Sequence, residues 1–151
     1  MIASKHKMFF LLQRAAHGLK KKADTELLDA GGMSTAQAVV MSIIAGQEGV
    51  SQSYLANKLM QRESAITTMA NRLLKAGYIT RMRSDTDGRA WVLKPTNEGL
   101  VALDAVREPF ASINAILDDA FPPEDVERIA DGLMDVLRQL EVLEDAEADH
   151  I

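Results

Sequence analysis

Residues 51–99 constrain the fold of this chain more than any other stretch of its 151 residues. Apolar residues at helical spacing predict a short helix capped by Ser51 and a second helix over about Glu63–Lys75. Two β-rich runs follow, Tyr78–Arg83 and Ala90–Leu93, joined by a polar turn of Ser, Asp, Thr and Gly. The order helix, helix, hairpin predicts a small lobe that combines both kinds of secondary structure.

Long helices are predicted on both sides of this lobe. Residues 5–28 carry apolar side chains at three- and four-residue steps, and a capping box at Ser34 opens the helix that follows. Downstream, Thr96 caps a helix over 97–120 that contains Pro109, which predicts a kink or a break, and Pro123 starts a final helix. The fold class is therefore mainly α with a small β-wing, an α+β fold. The expected organisation is 1–33 for an N-terminal helix, 34–96 for the lobe and 97–151 for the C-terminal helices.

The net charge of −5 at first argues against a nucleic-acid partner, but the charge is unevenly distributed. Residues 51–94 carry +5, whereas residues 1–50 carry +2 and residues 95–151 carry −12. Backbone phosphates respond to local potential, because salt screens charges beyond about 8–10 Å. A basic middle segment is therefore compatible with DNA binding.

The residue inventory argues against several other functions. The chain has no cysteine, which excludes disulfides, thiolate zinc sites and thiol nucleophiles. Its three histidines show no ligand spacing, and no phosphate loop, nucleophile elbow or histidine–carboxylate pair occurs. No apolar run approaches the roughly 20 residues of a membrane span, and the N-terminus does not resemble a secretion signal. We expect a cytoplasmic protein that is not an enzyme and that uses no cofactor, metal ion or membrane.

The second helix of the lobe has one face suited to reading DNA. Burial of Ile66, Met69 and Leu73 leaves short polar side chains on the opposite face. These are Ser64, Thr67, Thr68 and Asn71. Asn is able to bond adenine through both ends of its amide, and a Thr methyl contacts a thymine methyl. Arg62, Arg72 and Lys75 flank this face as candidate phosphate contacts. An ordinary amphipathic surface helix is the alternative for this segment taken alone.

The hairpin makes DNA binding the stronger interpretation of that helix. Arg81, Arg83 and Arg89 lie on or beside the hairpin, with Arg89 at its turn. A guanidinium there gains from the concentrated negative potential of a narrow minor groove. Asp87 is placed to bond and orient Arg89, although the turn aspartates also suit Asx turns. Two helices and a basic hairpin are the layout of a winged helix-turn-helix, which puts its second helix in the major groove and its hairpin against the neighbouring backbone.

The same residues carry a resemblance to a known family. The chain resembles the MarR family of transcriptional regulators (multiple-antibiotic-resistance regulators) across nearly its whole length. The matching motifs are SQSYLANKL at 51–59, SAIT at 64–67, Arg72-Leu73, Gly77-Tyr78-Ile79 with Arg81, the wing signature Asp85-x-Asp87-Gly88-Arg89, and Thr96 with Gly99. The resemblance implies a homodimer that presents two recognition helices to a pseudo-palindromic DNA operator, and repression relieved by a small aromatic or phenolic effector. Arg62-Glu63, Trp91 and Pro95 depart from the family pattern.

The terminal helices support a dimer independently of the resemblance. Apolar side chains of the last helix form a stripe over nearly five turns, which would be an unusually large exposed patch on a monomer. We expect an isologous interface formed by the first and last helices. Its candidate residues are Met8, Leu12, Val126, Ile129, Leu133, Leu137 and Leu140. Packing onto the chain's own first helix is the alternative for part of the stripe.

Two further hypotheses concern a ligand and a different function. The family binds ligands between the dimer helices and the DNA-binding lobe, and the resemblance extends this to Phe9, Phe10, Arg14, His17 and Met41. A solvent-facing or interface role is the alternative for His17. For the whole chain, the alternative function is a winged-helix protein-interaction module that has lost DNA binding, which the basic 51–94 segment argues against.

Overall fold

The computed structural model describes residues 2–86, 88 and 90–148, with side chains described within 7–141 except at positions 87 and 89. Within these residues the chain forms seven helices and three strands. In chain order they are α1 (Ile2–Gly31), α2 (Thr35–Ala45), β1 (Val50–Ser51), α3 (Gln52–Leu59), α4 (Glu63–Lys75), β2 (Ile79–Arg83), β3 (Trp91–Pro95), α5 (Asn97–Ala105), α6 (Arg107–Ala120) and α7 (Pro123–Ala148).

Local capping explains most helix boundaries. The three predicted N-caps, Ser34, Ser51 and Thr96, each accept a hydrogen bond from the backbone N–H three residues further on. Past the C-terminal ends of α1 and α4, Gly32 and Gly77 adopt φ of +69° and +79°, a left-handed conformation that favours glycine. The predictions that α2, α3 and α5 begin after these caps are confirmed.

The sheet is three-stranded and antiparallel, in the order β1-β3-β2. The two predicted strands are confirmed, with β3 shifted to Trp91–Pro95. Arg83 pairs with Trp91 and Ile79 with Pro95. β1 was not predicted, because two residues are too few to show an alternating pattern. Its Val50 pairs with Leu93, so β1 joins the start of α3 to the hairpin.

The predicted break near Pro109 is confirmed, and it falls at Val106, between α5 and α6. A helical proline lacks an N–H and its ring clashes with the carbonyl four residues earlier. For Pro109 that carbonyl belongs to Ala105, the last residue of α5. The helix is therefore interrupted directly after Ala105, where a continuous helix would bring the Pro109 ring against that carbonyl.

The chain divides into two compact units, residues 1–113 and 114–151. In the first unit the helices and the sheet enclose one apolar core, and no polar side chain among the described residues is fully buried. The largest fully buried side chains are Leu27, Met33, Met41, Ile44, Val50, Leu55, Ile66, Leu73, Leu93 and Val106.

The second unit contains α7, whose described apolar side chains are exposed. They include the five α7 residues predicted for a dimer interface, whose exposure ranges from 36% at Ile129 to 52% at Leu140. Among the described residues no single helix is both long and apolar enough to span a membrane, and the α1–α2 pair meets those criteria only together, across a 64° bend.

Candidate nucleic-acid interface

Helix α4 separates a buried face from a polar one. Ile66 and Leu73 are buried in the core, whereas Ser64, Thr68 and Asn71 are exposed. Thr67 differs from the expectation, because its side chain is half-buried. The predicted polar face is therefore narrower than the sequence suggested.

A hydrogen bond explains the burial of Thr67. The Nε2 of Gln52, in the first turn of α3, donates to the Thr67 Oγ1 at 3.1 Å. A second bond between the two helices runs from the Ser53 Oγ to a Glu63 carboxylate oxygen at 2.9 Å. These bonds fix the angle between α3 and α4, and Thr67 takes part in that packing.

Exposed cations flank the polar face of α4. Arg62 is the N-cap residue of α4 and makes no side-chain capping bond, so its guanidinium is not used to close the helix. Arg72 and Lys75 lie in the last turn of α4 and are exposed. Arg62 therefore lies at one end of the polar face, and Arg72 and Lys75 lie at the other. This placement suits contacts with phosphates on either side of a groove.

The wing, defined as β2 and β3 with their connecting turn, directs two arginines to the side of α4. Side chains alternate along a strand, so Arg81 and Arg83 share one face with Ile79. Ile79 and the β3 residue that pairs with Arg81, Leu93, are buried in the core. Arg81 and Arg83 therefore lie on the same face of the sheet as the buried residues, but further along β2, toward the tip of the hairpin.

Trp91 lies between these two guanidinium groups. The Cζ atoms of Arg81 and Arg83 lie 4.5 Å and 3.9 Å from the centre of the Trp91 ring. A guanidinium over an indole is attracted by the ring's negative face, and the contact restricts its rotamers. We call Arg81, Arg83 and Trp91 the wing cluster.

The wing cluster is bonded to α4. Arg81 Nη1 donates to the Asn71 Oδ1 at 3.3 Å, so two predicted DNA contacts from different elements touch each other. The outer part of the wing closes with a hydrogen bond from the Ser84 N–H to the Ala90 carbonyl at 2.9 Å. The predicted contacts Asp87 and Arg89 lie outside the described residues, and their pairing stays a prediction.

Thr96 attaches the base of the wing to α4 and α5. Its hydroxyl donates to the Gly77 carbonyl at 2.6 Å and accepts from the Gly99 N–H at 3.0 Å, and its own N–H donates to the Tyr78 carbonyl at 3.0 Å. Gly99 packs against the same segment, since a Cβ there would lie 2.1 Å from the Tyr78 oxygen. The orientation of the wing relative to α4 depends on this junction.

A charged contact joins the start of α2 to α1. Asp24 of α1 accepts from the Lys20 ammonium and from the Thr35 N–H, both at 2.8 Å. The Lys20 hydrogen bond and those from Thr35 lower the pKa of the Asp24 carboxyl from 3.8 to about 2. The ionised carboxylate thereby holds the start of α2 against α1.

The residues predicted for a ligand pocket are not brought together in one cavity of the described chain. Phe9, Phe10, Arg14 and His17 are exposed on α1, whereas Met41 is buried in the core. The described residues instead line an open cavity of about 520 Å³ between α1 and α5, around Gly31 and Ala102. The ligand-site residues stay a prediction.

Sequence reasoning missed the roles of Trp91 and Gln52. Trp91 was noted only as a departure from the family pattern, yet it contacts two of the predicted arginines. The available signal was the predicted hairpin, which brings Trp91 within one residue of Arg83; the register that pairs the two is set by the fold. The Gln52–Thr67 bond had no such signal, since it depends on the packing angle of two helices.

Comparisons with known proteins agree with this geometry. The MarR family model matches residues 33–91. The transcriptional regulator BldR from Sulfolobus solfataricus is 25% identical with a TM-score of 0.75, and the match covers 92% of this chain and 98% of that chain.

Two solved complexes with DNA share the fold. The MepR–DNA complex of S. aureus is 21% identical with a TM-score of 0.79, covering 87% of this chain and 96% of MepR. A MarR family regulator from Streptomyces coelicolor in complex with DNA is 20% identical with a TM-score of 0.86, covering 93% of each chain. A comparison with curated sequences finds no match.

Proposed function

We propose that the protein is a sequence-specific DNA-binding transcriptional regulator, because the MarR family model matches residues 33–91, which contain the helix-turn-helix and most of the wing. The observation that carries the proposal is the bond between Arg81 of the wing and Asn71 of α4. It joins a polar helix face to an arginine-bearing hairpin on one side of the lobe, as a reader of a major groove and its flanking backbone requires. The +5 charge of residues 51–94 supports the same assignment.

A homodimer is part of the proposal. Exposed apolar side chains on α1, among them Met8 and Leu12, and on α7, among them Leu133, form surfaces that a partner subunit would cover. A two-fold dimer places two copies of α4 about 34 Å apart, which matches successive major grooves of a pseudo-palindromic site. The likeness in fold to MepR and to the S. coelicolor regulator, both solved in complex with DNA, supports DNA as the partner.

The proposal assigns the dimer a repressor role in the cytoplasm, where it occupies an operator and blocks transcription. A small aromatic or phenolic effector would relieve repression by stabilising a dimer whose α4 spacing no longer fits DNA. To shift the population in this way, the effector has to bind that geometry more tightly than the DNA-bound one. The resemblance to the family supports this role.

Titration of the full chain with fragments of its source genome tests the proposal. We expect binding that weakens steeply with salt, because lysines and arginines displace counterions from phosphates. Arg83→Ala should reduce the slope of log affinity against log salt by about 1. Arg107→Ala is the matched control, since it removes an exposed arginine that lies outside α4 and the wing and should leave the slope unchanged.

Two results would contradict the proposal. Absence of salt-sensitive binding at any fragment would favour the winged-helix protein-interaction module. Equal loss of slope in Arg83→Ala and Arg107→Ala would show that the wing does not contact the phosphates.

A further inference from the structure

The Asn71 side chain is oriented by the wing. A guanidinium group has only donors, so the amide atom that Arg81 meets at 3.3 Å is the acceptor, Oδ1. This settles which end of the amide faces the wing, an assignment that is otherwise ambiguous for Asn. The NH2 end of Asn71 therefore points away from Arg81, and Asn71 itself is exposed on α4.

Arg81 is in turn held by Trp91. The Trp91 ring centre lies 4.5 Å from the Arg81 Cζ, and both residues are half-buried. Stacking on an aromatic face limits the rotamers of a long, flexible side chain. Trp91 therefore restricts Arg81, and Arg81 in turn bonds Asn71, so these contacts connect the wing to the polar face of α4.

We propose that Arg81 and Trp91 are positioning residues that determine the base preference of Asn71. With its oxygen held by Arg81, Asn71 offers its NH2 donor to base acceptors, which favours guanine (O6 and N7) or thymine (O4) over adenine, whose single acceptor (N7) lies beside the N6 donor. Bidentate pairing with adenine requires the Asn oxygen and NH2 to be aimed together at N6 and N7, and the bond to Arg81 turns the oxygen toward the wing. This inference rests on the proposed DNA-binding function, and it replaces adenine by guanine or thymine as the expected partner of Asn71.

Selection of bound sequences from a randomised operator library tests the inference. Comparison of the full chain with Asn71→Ala identifies the base position that Asn71 reads, because the variant loses its base preference at that position. At that position we expect guanine or thymine for the unmodified chain. Arg81→Met, which keeps a long side chain but has no donor, should shift the preference toward adenine by about fivefold or more. Trp91→Leu should give a smaller shift in the same direction, because Arg81 is still present but less restricted.

Arg107→Met is the control for loss of a positive charge, and it should leave the preference at every position unchanged. Circular dichroism verifies that each variant is folded. NMR of the side-chain amides in the free protein gives a second readout, since Arg81→Met should shift the Asn71 NH2 signals more than Arg107→Met does.

The possible failures are distinguishable. An unmodified chain that binds DNA but prefers adenine, or an unchanged preference in Arg81→Met and Trp91→Leu, would overturn this inference and leave the proposed function intact. Absence of salt-sensitive binding by the unmodified chain would refute the proposed function and this inference with it.

Discussion

The substitution Gly99→Ala tests the packing between α5 and the base of the wing. Gly99 is buried in the first turn of α5, where an alanine adopts the same backbone conformation without strain. The effect of the change is therefore steric. A Cβ at this position would lie 2.1 Å from the Tyr78 oxygen and 2.9 Å from the Met41 Cε.

The size of the effect follows from which atom is in the way. The Met41 Cε is the flexible end of a side chain and moves easily. The Tyr78 oxygen belongs to the backbone, and it has to move by about 0.9 Å to reach 3.0 Å, below which Cβ contacts are essentially never found. That oxygen also accepts the Thr96 N–H, so the movement strains a second bond. Overpacking of this kind costs about 2–3 kcal/mol, which corresponds to a fall in Tm of about 5–10 °C for a chain of this size.

Thermal and urea unfolding followed by circular dichroism at 222 nm measures the change. The matched control is Gly18→Ala, because Gly18 is in the interior of α1 and a Cβ there has no neighbour within 4 Å. Alanine is the better helix former, so this variant should gain about 0.5–1 kcal/mol. A Gly99→Ala protein as stable as Gly18→Ala would refute the close approach of α5 to the wing base.

Three further predictions concern other contacts of the chain. Thr96→Val should cost about 1–2 kcal/mol in urea unfolding because it removes two hydrogen bonds, whereas Thr25→Val, whose hydroxyl makes one exposed bond within α1, should be nearly neutral. The folded-state pKa of Asp24 lies below its ordinary value, so its contribution is complete above about pH 4 and is lost as pH falls toward 2. Asp24→Asn should lower stability by about 1–2 kcal/mol at pH 6 and flatten the acid limb of a plot of urea midpoint against pH; an unchanged acid limb would contradict this. Leu133→Glu should convert the proposed dimer to a monomer in sedimentation velocity, while Gln139→Glu, on another face of α7, should not; equal behaviour of the two would argue against that interface.

The sequence predicts the parts of this fold that are determined locally. Each helix start at a Ser or Thr cap is set by residues within one turn, and the break before Pro109 follows from the geometry of one residue. Runs of β-branched and aromatic residues, separated by a turn of polar residues, likewise identify β2 and β3. These features need no knowledge of distant neighbours.

Features that depend on distant neighbours were not predictable in the same way. β1 is recognisable only through its pairing with β3, and Thr67 is half-buried only because α3 crosses beside it. Asn71 and Arg81 were each selected as DNA contacts from their own elements, but their mutual bond requires the wing to pack beside α4. Single residues were identified from local pattern, whereas their pairing depends on tertiary packing.

Trp91 is the only tryptophan of the chain, and it lies in the wing between two cationic groups. Its intrinsic emission therefore originates at a single known place in the molecule. Displacement of Arg81 or Arg83 by a neighbouring polyanion would change the surroundings of the excited indole directly. A titration that follows tryptophan fluorescence, without an added label, therefore reports on the hairpin and not on changes in the N- and C-terminal helices.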